Sequence, residues 1–315
     1  MIDFTTKCNC NCIYCLRHFE DVGDSISLEM LDRITDYIIS YCHTHGVRNI
    51  SFQPWGGEPL IELEKILHCK ACFDQAGIRA NFVVQTNGLL LTMENYRKLH
   101  ANGIHVGVSM DGIPEVHDAH RLDVRGNKTH GRVADNLKKI LEAYPDCGIG
   151  TLSVNSAYSI DNISQDVDFI VNTLGIPNIK FNLVHPSGGC DFNESLLIQK
   201  DQLSDYIRRV LNAVIEQLEN GKRCYESNIA DKLCNLLGVP KNNMCNSLGC
   251  RGGVTFISFD REGNIYPCEM IGHEDMKLGN VSDGLDLIDL IAQAHDVNPY
   301  YAPRKVAGCS GCPFF

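Results

Sequence analysis

Short runs rich in β-branched and aromatic residues recur along the chain, separated by amphipathic stretches. The runs Ile2–Thr6, Asn49–Gln53, Asn81–Gln85, His105–Ser109, Gly148–Val154 and Asn178–Val184 have the length and composition of strands. Ser27–Thr44, Leu60–Ala76, Thr92–Ala101, Gly131–Tyr144 and Asp161–Leu174 read as helices. In the first of these, Leu31, Ile34, Ile38 and Tyr41 are spaced by threes and fours, which lines one helix face. Strands alternating with helices predict a parallel sheet with right-handed crossovers. Six such units predict an α/β fold, a partial (β/α)6 TIM-like barrel that stays open, in preference to a closed eightfold one. A further helix, Asp201–Leu218, leads out of this core, so residues 1–220 are expected to form the barrel and 221–315 a second unit.

The residues with the most chemistry fall at one kind of place. Cys8 follows the first expected strand, Gly56-Gly57-Glu58-Pro59 the second, Thr86-Asn87-Gly88 the third, and Asp111-Gly112 the fourth. The segment from His185 to Cys190 follows the sixth. Barrels of parallel strands build their active sites at the C-terminal strand ends, so this placement points to chemistry rather than to scattered turn residues.

Composition narrows the class. The 315 residues are 44% hydrophobic and 21% charged, enough for one or two globular domains. No apolar run is long enough to span a bilayer and no signal-peptide pattern precedes the first strand, which predicts a cytoplasmic protein with no membrane partner. A formal charge of −11 argues against a nucleic-acid partner, which needs a basic face. Sixteen cysteines without a secretory signal point to metal or redox chemistry rather than a disulfide framework.

That chemistry is concentrated in Cys8-Asn9-Cys10-Asn11-Cys12-Ile13-Tyr14-Cys15, where Cys8, Cys12 and Cys15 form a C-x3-C-x2-C set. Thiolates hold iron–sulfur clusters, usually four per [4Fe–4S] unit, so a set of three leaves one iron open to a small molecule. Zinc sites are more often built from two separated ligand pairs, and reduced, buried cysteines are the other plain account. The two glycines of Gly56–Pro59 allow close approach of a ligand to the backbone, or mark an ordinary strand-to-helix turn. The amide and hydroxyl groups of Gln85-Thr86-Asn87-Gly88 can bind ribose hydroxyls or a carboxylate, while Asn87-Gly88 alone reads as a turn.

This combination resembles the radical SAM superfamily. The resemblance rests on the cysteine triplet with Tyr14 before its last cysteine, on Gly56–Pro59, on Gln85–Gly88, and on Gly107–Gly112 followed by His117-Asp118 and Arg121. The last of these is similar to the SxDG…HDxxR region of peptide- and protein-modifying members. The resemblance implies a [4Fe–4S] cluster on Cys8, Cys12 and Cys15 whose open iron chelates S-adenosylmethionine (SAM). It implies that Tyr14 lies near the adenine, that Gly56, Gly57, Glu58 and Pro59 meet the methionine amino group, and that Gln85, Asn87 and Ser109 contact ribose or carboxylate. Arg132, opening the next helix, is expected to pair with the SAM carboxylate, and Asp118 with Arg121 as a structural ion pair. Cys10 falls where the family often has an apolar residue and is not needed as a ligand.

The C-terminal third resembles a SPASM domain, an extension holding auxiliary [4Fe–4S] clusters. It carries Cys245, Cys250 and Cys268, with Gly263 between the last two, then Cys309 and Cys312. Arg251–Phe259 and Gly263–Pro267 read as a hairpin turning at Asp260 to Gly263, which would bring Cys250 and Cys268 together. The family pattern continues with further cysteines, whereas this sequence ends at Phe315. A truncated SPASM extension is the expectation, and a missing N-terminal extension with it. The competing account is a shorter "twitch" version with Cys250, Cys268, Cys309 and Cys312 around one cluster, so the resemblance implies one or two auxiliary clusters. Cys69 and Cys72 read as buried helix residues, Cys42, Cys147, Cys224 and Cys234 show no ligand spacing, and Cys190 faces the expected site from its loop.

The activity implied is generation of a 5′-deoxyadenosyl radical that takes a hydrogen atom from an unactivated carbon, with flavodoxin or ferredoxin as electron donor. The leading expectation is a maturase of a ribosomal peptide or protein side chain, forming a thioether or carbon–carbon crosslink. An anaerobic sulfatase-maturating, formylglycine-forming enzyme comes second and a twitch-type small-molecule dehydrogenase third. A non-catalytic electron-transfer module is the alternative of a different class, against which the glycine pair and Gln85–Gly88 speak.

Overall fold

The computed structural model describes residues 1–17, 23–185, 194–239, 252–269 and 276–297. Cys190, Cys245, Cys250, Cys309 and Cys312 lie outside them, and so do the expectations that rest on those five cysteines.

All six strands expected from the sequence are present. β1 (Ile2–Thr5) is followed by a short ribbon strand, β2 (Cys10–Cys12), and α1 (Leu28–Thr44). β3 (Asn49–Phe52) and β4 (Pro54–Gly56) are one run of extended chain that changes partner at Gln53. A 3-10 turn (Pro59–Glu62) leads into α2 (Leu63–Gln75), β5 (Arg79–Thr86), α3 (Met93–Ala101) and β6 (His105–Ser109). Next come α4 (Pro114–His120), β7 (Arg121–Asp123), α5 (His130–Ala143), β8 (Gly150–Asn155), α6 (Ile163–Asp168) and β9 (Asn178–Leu183). The chain continues through α7 (Leu203–Glu219), β10 (Tyr225–Glu226), α8 (Ser227–Leu236), β11 (Ser258–Phe259), β12 (Asn264–Tyr266), β13 (Gly279–Asn280) and α9 (Leu287–Val297).

The parallel strands run in the order β1, β4/β3, β5, β6, β8, β9, with β10 added parallel beyond β9. The handover at Gln53 makes this possible: β3 pairs with β5 through Asn49↔Arg79 to Phe52↔Phe82, and β4 pairs with β1 through Ile2↔Pro54 and Asp3↔Trp55. Among the described residues the far edges do not pair with each other, so the sheet is open. On the other side of β1, β11 joins parallel at Ile2↔Phe259 and continues through β12 and β13 as an antiparallel meander. The expected turn is there: Asp260 Oδ1 accepts the N–H groups of Glu262 and Asn264 at 2.9 and 2.8 Å, and Gly263 adopts φ +83°. The arm before it is shorter than expected, because Gly253 turns back to donate to Phe256 O and Pro267 O.

The periodic positions of α1 do what their spacing implies. Leu31, Ile34 and Ile38 are buried, and Ser27 caps the helix by accepting from Met30 N–H at 3.1 Å. Thr92 caps α3 in the same way. Under the helices, Phe52, Phe73 and Phe82 pack as a cluster, with the rings of Phe52 and Phe82 stacked at 4.3 Å. Asp161–Leu174 was expected as one helix; the structure breaks it into a 3-10 turn, α6 and a π turn over Phe169–Thr173.

Candidate active site

The strand ends bring most of the singled-out residues together. β1 leads directly into the cysteine loop, and β4 lies against it so closely that only glycine fits. A Cβ on Gly56, which has φ +139°, would sit 2.2 Å from Thr5 O, and one on Gly57 would sit 2.3 Å from Lys7 O. Gly57 N–H donates to Thr5 O and Glu58 N–H to Lys7 O. The two glycines are thus required by contact between two backbone segments, which sets Gly56–Pro59 beside the cysteines.

Glu58 is a brace. Its buried carboxylate accepts from Thr86 Oγ1 at 2.7 Å, Leu60 N–H at 3.0 Å and Asn87 N–H at 2.7 Å. Burial pushes its pKa up, and these three donors oppose that shift. Pro59 begins the 3-10 turn behind it. Held this way, Asn87 turns its amide to the cysteine loop, donating to Asn9 Oδ1 at 2.6 Å and standing 3.8 Å from Cys8 Sγ. Across β5 and β6, Gln85 Nε2 donates to Ser109 Oγ at 3.1 Å, so these two expected contacts adjoin each other.

The cysteine loop is itself part of a ribbon. β2 pairs antiparallel with β7, setting Cys10 opposite Asp123 and Cys12 opposite Arg121. Ile13 N–H donates to His120 O and Val124 N–H to Asn9 O. The Arg121–Asp123 strand, with His120 and Val124 at its ends, therefore holds the loop by strand pairing. Beneath the ribbon, Asp111 is fully buried and collects four partners. Its Oδ2 accepts from the Tyr14 hydroxyl and from Arg121 Nε at 2.8 Å, with His120 Nδ1 at 3.4 Å, and its Oδ1 accepts Val154 N–H at 2.9 Å. Burial alone would raise this carboxyl; Arg121 and His120 outweigh it and hold Asp111 well below the usual carboxylate range. The Arg121 guanidinium also covers the Tyr14 ring at 5.1 Å and approaches Cys12 Sγ at 4.0 Å. The expected Asp118–Arg121 pair is corrected: Arg121 turns inward to Asp111, and Asp118 caps α5 by accepting the N–H groups of Thr129 and His130 at 3.0 and 2.9 Å.

The thiols of Cys8, Cys10, Cys12 and Cys15 are free and half-buried. Burial pushes Cys8 up to about 12 and raises Cys15, whereas a hydrogen bond from Cys10, aided by Arg121, lowers Cys12. Zinc–sulfur bonds of about 2.3 Å would draw sulfurs to roughly 4 Å of one another. No three of these thiols come within 4.8 Å of one another. So wide a set suits a cluster in which each thiolate ligates a different iron, not a single ion. The residues present fit a [4Fe–4S] cluster, which Cys8, Cys12 and Cys15 would hold, with Asn87, Arg121 and the Cys10 N–H (3.4 Å from Cys8 Sγ) placed to donate to the cysteine sulfurs.

Comparison with known proteins decides the family. Residues 2–156 match the radical SAM superfamily. This segment is a radical SAM domain. Members of that superfamily use a [4Fe–4S] cluster and SAM, and the chain is an enzyme of this kind. A cysteine-type anaerobic sulfatase-maturating enzyme of Clostridium perfringens is 25% identical over 293 residues, which cover 89% of this chain and 76% of the relative. The solved structure of native anSMEcpe with bound AdoMet and Cp18Cys peptide shares the fold, with a TM-score of 0.84 at 20% identity over 100% of this chain and 86% of that one. Streptococcus suis SuiB bound to precursor peptide SuiA gives a TM-score of 0.67 at 17% identity, over 99% and 69%.

Within the radical SAM domain one expected contact stands apart. Arg132 is exposed and pairs with Asp123 at 3.7 Å, because the inner face of α5 is formed by His130, Val133, Ala134, Leu137 and Ile140. The structure does not bring Arg132 to the other site residues. Cys268 follows β12 and is half-buried. No helix of the described residues is long and apolar enough to cross a membrane.

Three buried side chains beside the site receive no role from the sequence, although His117 lies in its HDxxR-like segment. His117 Nδ1 accepts Asp111 N–H, leaving its Nε2–H to Thr129 Oγ1, and burial lowers it to about 3, so it is neutral. His120 Nε2 meets Ser156 Oγ at 2.9 Å. Asp166 accepts Ile113 N–H on Oδ1, while its Oδ2 has no partner among the described residues, and burial pushes its pKa from 3.8 up to about 8. A carboxyl whose pKa rises on folding binds its proton more tightly when folded. Its stabilisation is complete below the unfolded value and is lost as pH rises through the folded one. Wild type is therefore expected to lose stability relative to Asp166→Asn between about pH 5 and about pH 9. Urea midpoints of both proteins at the two pH values measure this, and parallel pH dependence would refute it.

Proposed function

We propose that this radical SAM enzyme oxidises a side chain of a peptide or protein substrate. Cys8, Cys12 and Cys15 would hold the [4Fe–4S] cluster, and Gly56–Pro59, Gln85, Asn87 and Ser109 line the adjoining strand ends where SAM would bind. Bound together, cluster and SAM supply a 5′-deoxyadenosyl radical able to take hydrogen from an unactivated carbon. The protein's own contribution is positional. Asp111 and Arg121 fix Tyr14 and Cys12, Glu58 fixes Asn87, and the glycine pair closes the gap between the two loops. Tyr14 is only 6% exposed and its hydroxyl is bound to Asp111, so that hydroxyl is engaged within the protein rather than with a nucleoside.

The observation that carries this proposal is the likeness to a sulfatase-maturating enzyme over 89% of the chain, well beyond the radical SAM domain. It gives formylglycine formation the same standing as the crosslink favoured by the motifs alone. Both begin with hydrogen-atom removal from a peptide carbon. Auxiliary clusters on Cys245, Cys250, Cys268, Cys309 and Cys312, and a flavodoxin or ferredoxin donor, belong to the same proposal.

Anaerobic incubation of reconstituted protein with dithionite, SAM and two peptide sets separates the outcomes. One set carries a sulfatase-type Cys or Ser, the other is Cys-rich and precursor-like. The expected result is 5′-deoxyadenosine in step with either a hydrazide-reactive aldehyde or a loss of two hydrogens without one. Deoxyadenosine release that neither set stimulates or couples to a product would overturn the peptide substrate class.

A further inference from the structure

Away from the strand ends, α1 and α2 bring together three side chains that the proposed chemistry does not use. Donor atoms of Asp32, His68 and Cys72 all lie within 4.8 Å of one another. His68 Nε2 is 2.6 Å from Asp32 Oδ1 and 3.7 Å from Cys72 Sγ. His68 and Cys72 are four residues apart on α2 and so share a face, and Asp32 comes from the neighbouring helix. We propose that Asp32, His68 and Cys72 form a binding site for one divalent ion of the zinc class, separate from the cysteine loop, that ties α1 to α2.

The donor set is the first reason. One imidazole nitrogen, one thiolate and one carboxylate oxygen are all ligands that zinc takes, and three protein ligands leave a fourth position for water. Calcium and magnesium prefer all-oxygen sites and are disfavoured here by the nitrogen and sulfur. Spacing is the second. Unlike the thiols of the cysteine loop, these three donors are close enough to surround a single ion. The third is the rigid frame beneath them. On the same two helices Thr35 Oγ1 and the buried Cys69 Sγ meet at 3.5 Å, and near the C-terminal ends His43 Nε2 bonds Ala76 O at 3.0 Å, so the two backbones are already fixed side by side.

Cys69 and Cys72 thereby part company. Cys69 is the buried helix cysteine that its spacing implies, while Cys72 is half-exposed beside a histidine and a carboxylate. Partial burial and the charges of Asp32 and Asp36 push the Cys72 thiol up. A cation at this place reverses the effect of those two carboxylates, so the thiol gives up its proton on binding and affinity rises with pH.

The test uses cluster-reconstituted protein, desalted after exposure to a slight excess of zinc, with zinc and iron counted per chain. Wild type is expected to retain one more zinc than the double variant His68→Ala/Cys72→Ala at unchanged iron content. That difference separates this site from every other thiol. A second measurement needs no variant: alkylation of Cys72, followed by mass spectrometry of its peptide, should slow about tenfold when free zinc is about ten times the dissociation constant. Equal zinc in wild type and double variant, or Cys72 alkylation indifferent to zinc, would overturn the proposal.

Discussion

Asp111→Asn is expected to destabilise the protein by about 3–5 kcal/mol, the cost of leaving a buried charge without its partner. Arg121 is only 6% exposed and Asp111 is its ion-pair partner at 2.8 Å. An asparagine keeps the shape of the side chain but presents no charge to the guanidinium. One of its two polar atoms becomes an amide donor, set against either the Arg121 and Tyr14 donors or the N–H of Val154. The loss reaches beyond stability, because Tyr14 and Arg121 flank Cys12, and iron uptake on reconstitution is expected to fall with it. Urea denaturation of the iron-free protein isolates the first effect. Adding Arg121→Met should recover part of the stability, since a buried pair replaced on both sides by apolar groups costs far less than one broken on a single side. A midpoint within error of wild type for Asp111→Asn would show that the pair carries no such weight.

Cys8→Ala, Cys12→Ala and Cys15→Ala are each expected to abolish 5′-deoxyadenosine formation, whereas Cys10→Ala should keep the iron and most of the activity. Cys10 sits in the same ribbon, and its role in the fold is a hydrogen bond with Cys12 and pairing opposite Asp123. Removing it withdraws one donor from Cys12 and leaves Arg121 as the other. Iron per chain and the visible charge-transfer absorption of the reconstituted variants check this without relying on turnover. If Cys10→Ala lost its iron as fully as Cys12→Ala, Cys10 would have to be counted among the ligands.

How far the sequence could be read depended on whether a signal was local. The six strands were legible because β-branched runs alternate with helical periods, and Leu31, Ile34 and Ile38 face the core as their spacing requires. The cysteine loop, the glycine pair and Gln85–Gly88 were legible as a group because each ends a strand. Partners that meet through space were not. Asp118 and Arg121 are three residues apart and look like a pair, yet β7 turns Arg121 inward to Asp111, ten positions back in sequence, while Asp118 is drawn to the bare N–H groups at the start of α5. Arg132 looked well placed at a helix start, but the rotation of α5 points it outward to Asp123. Nothing in the spacing of His120 or Asp166 distinguishes them from surface residues, because burial of a polar side chain leaves no period behind, and the motif that contains His117 does not say what it bonds. Asp32 and Cys72 illustrate the same limit, since they belong to different helices and meet only once the sheet has brought α1 and α2 together.

β1, the strand that presents the cysteines, has β4 on one side and β11 on the other, and 256 positions separate Met1 from Ile257, whose carbonyl receives the Met1 amine at 2.8 Å. Translation supplies the β4 flank early and the β11 flank late, and bringing such distant segments together carries a loop-closure entropy that local pairing avoids. Until β11 is made, the very strand that leads into the thiols lacks the partner that β11 provides in the finished fold. Stable iron loading in the cell is thus expected to await synthesis of β11 rather than accompany that of the cysteine loop.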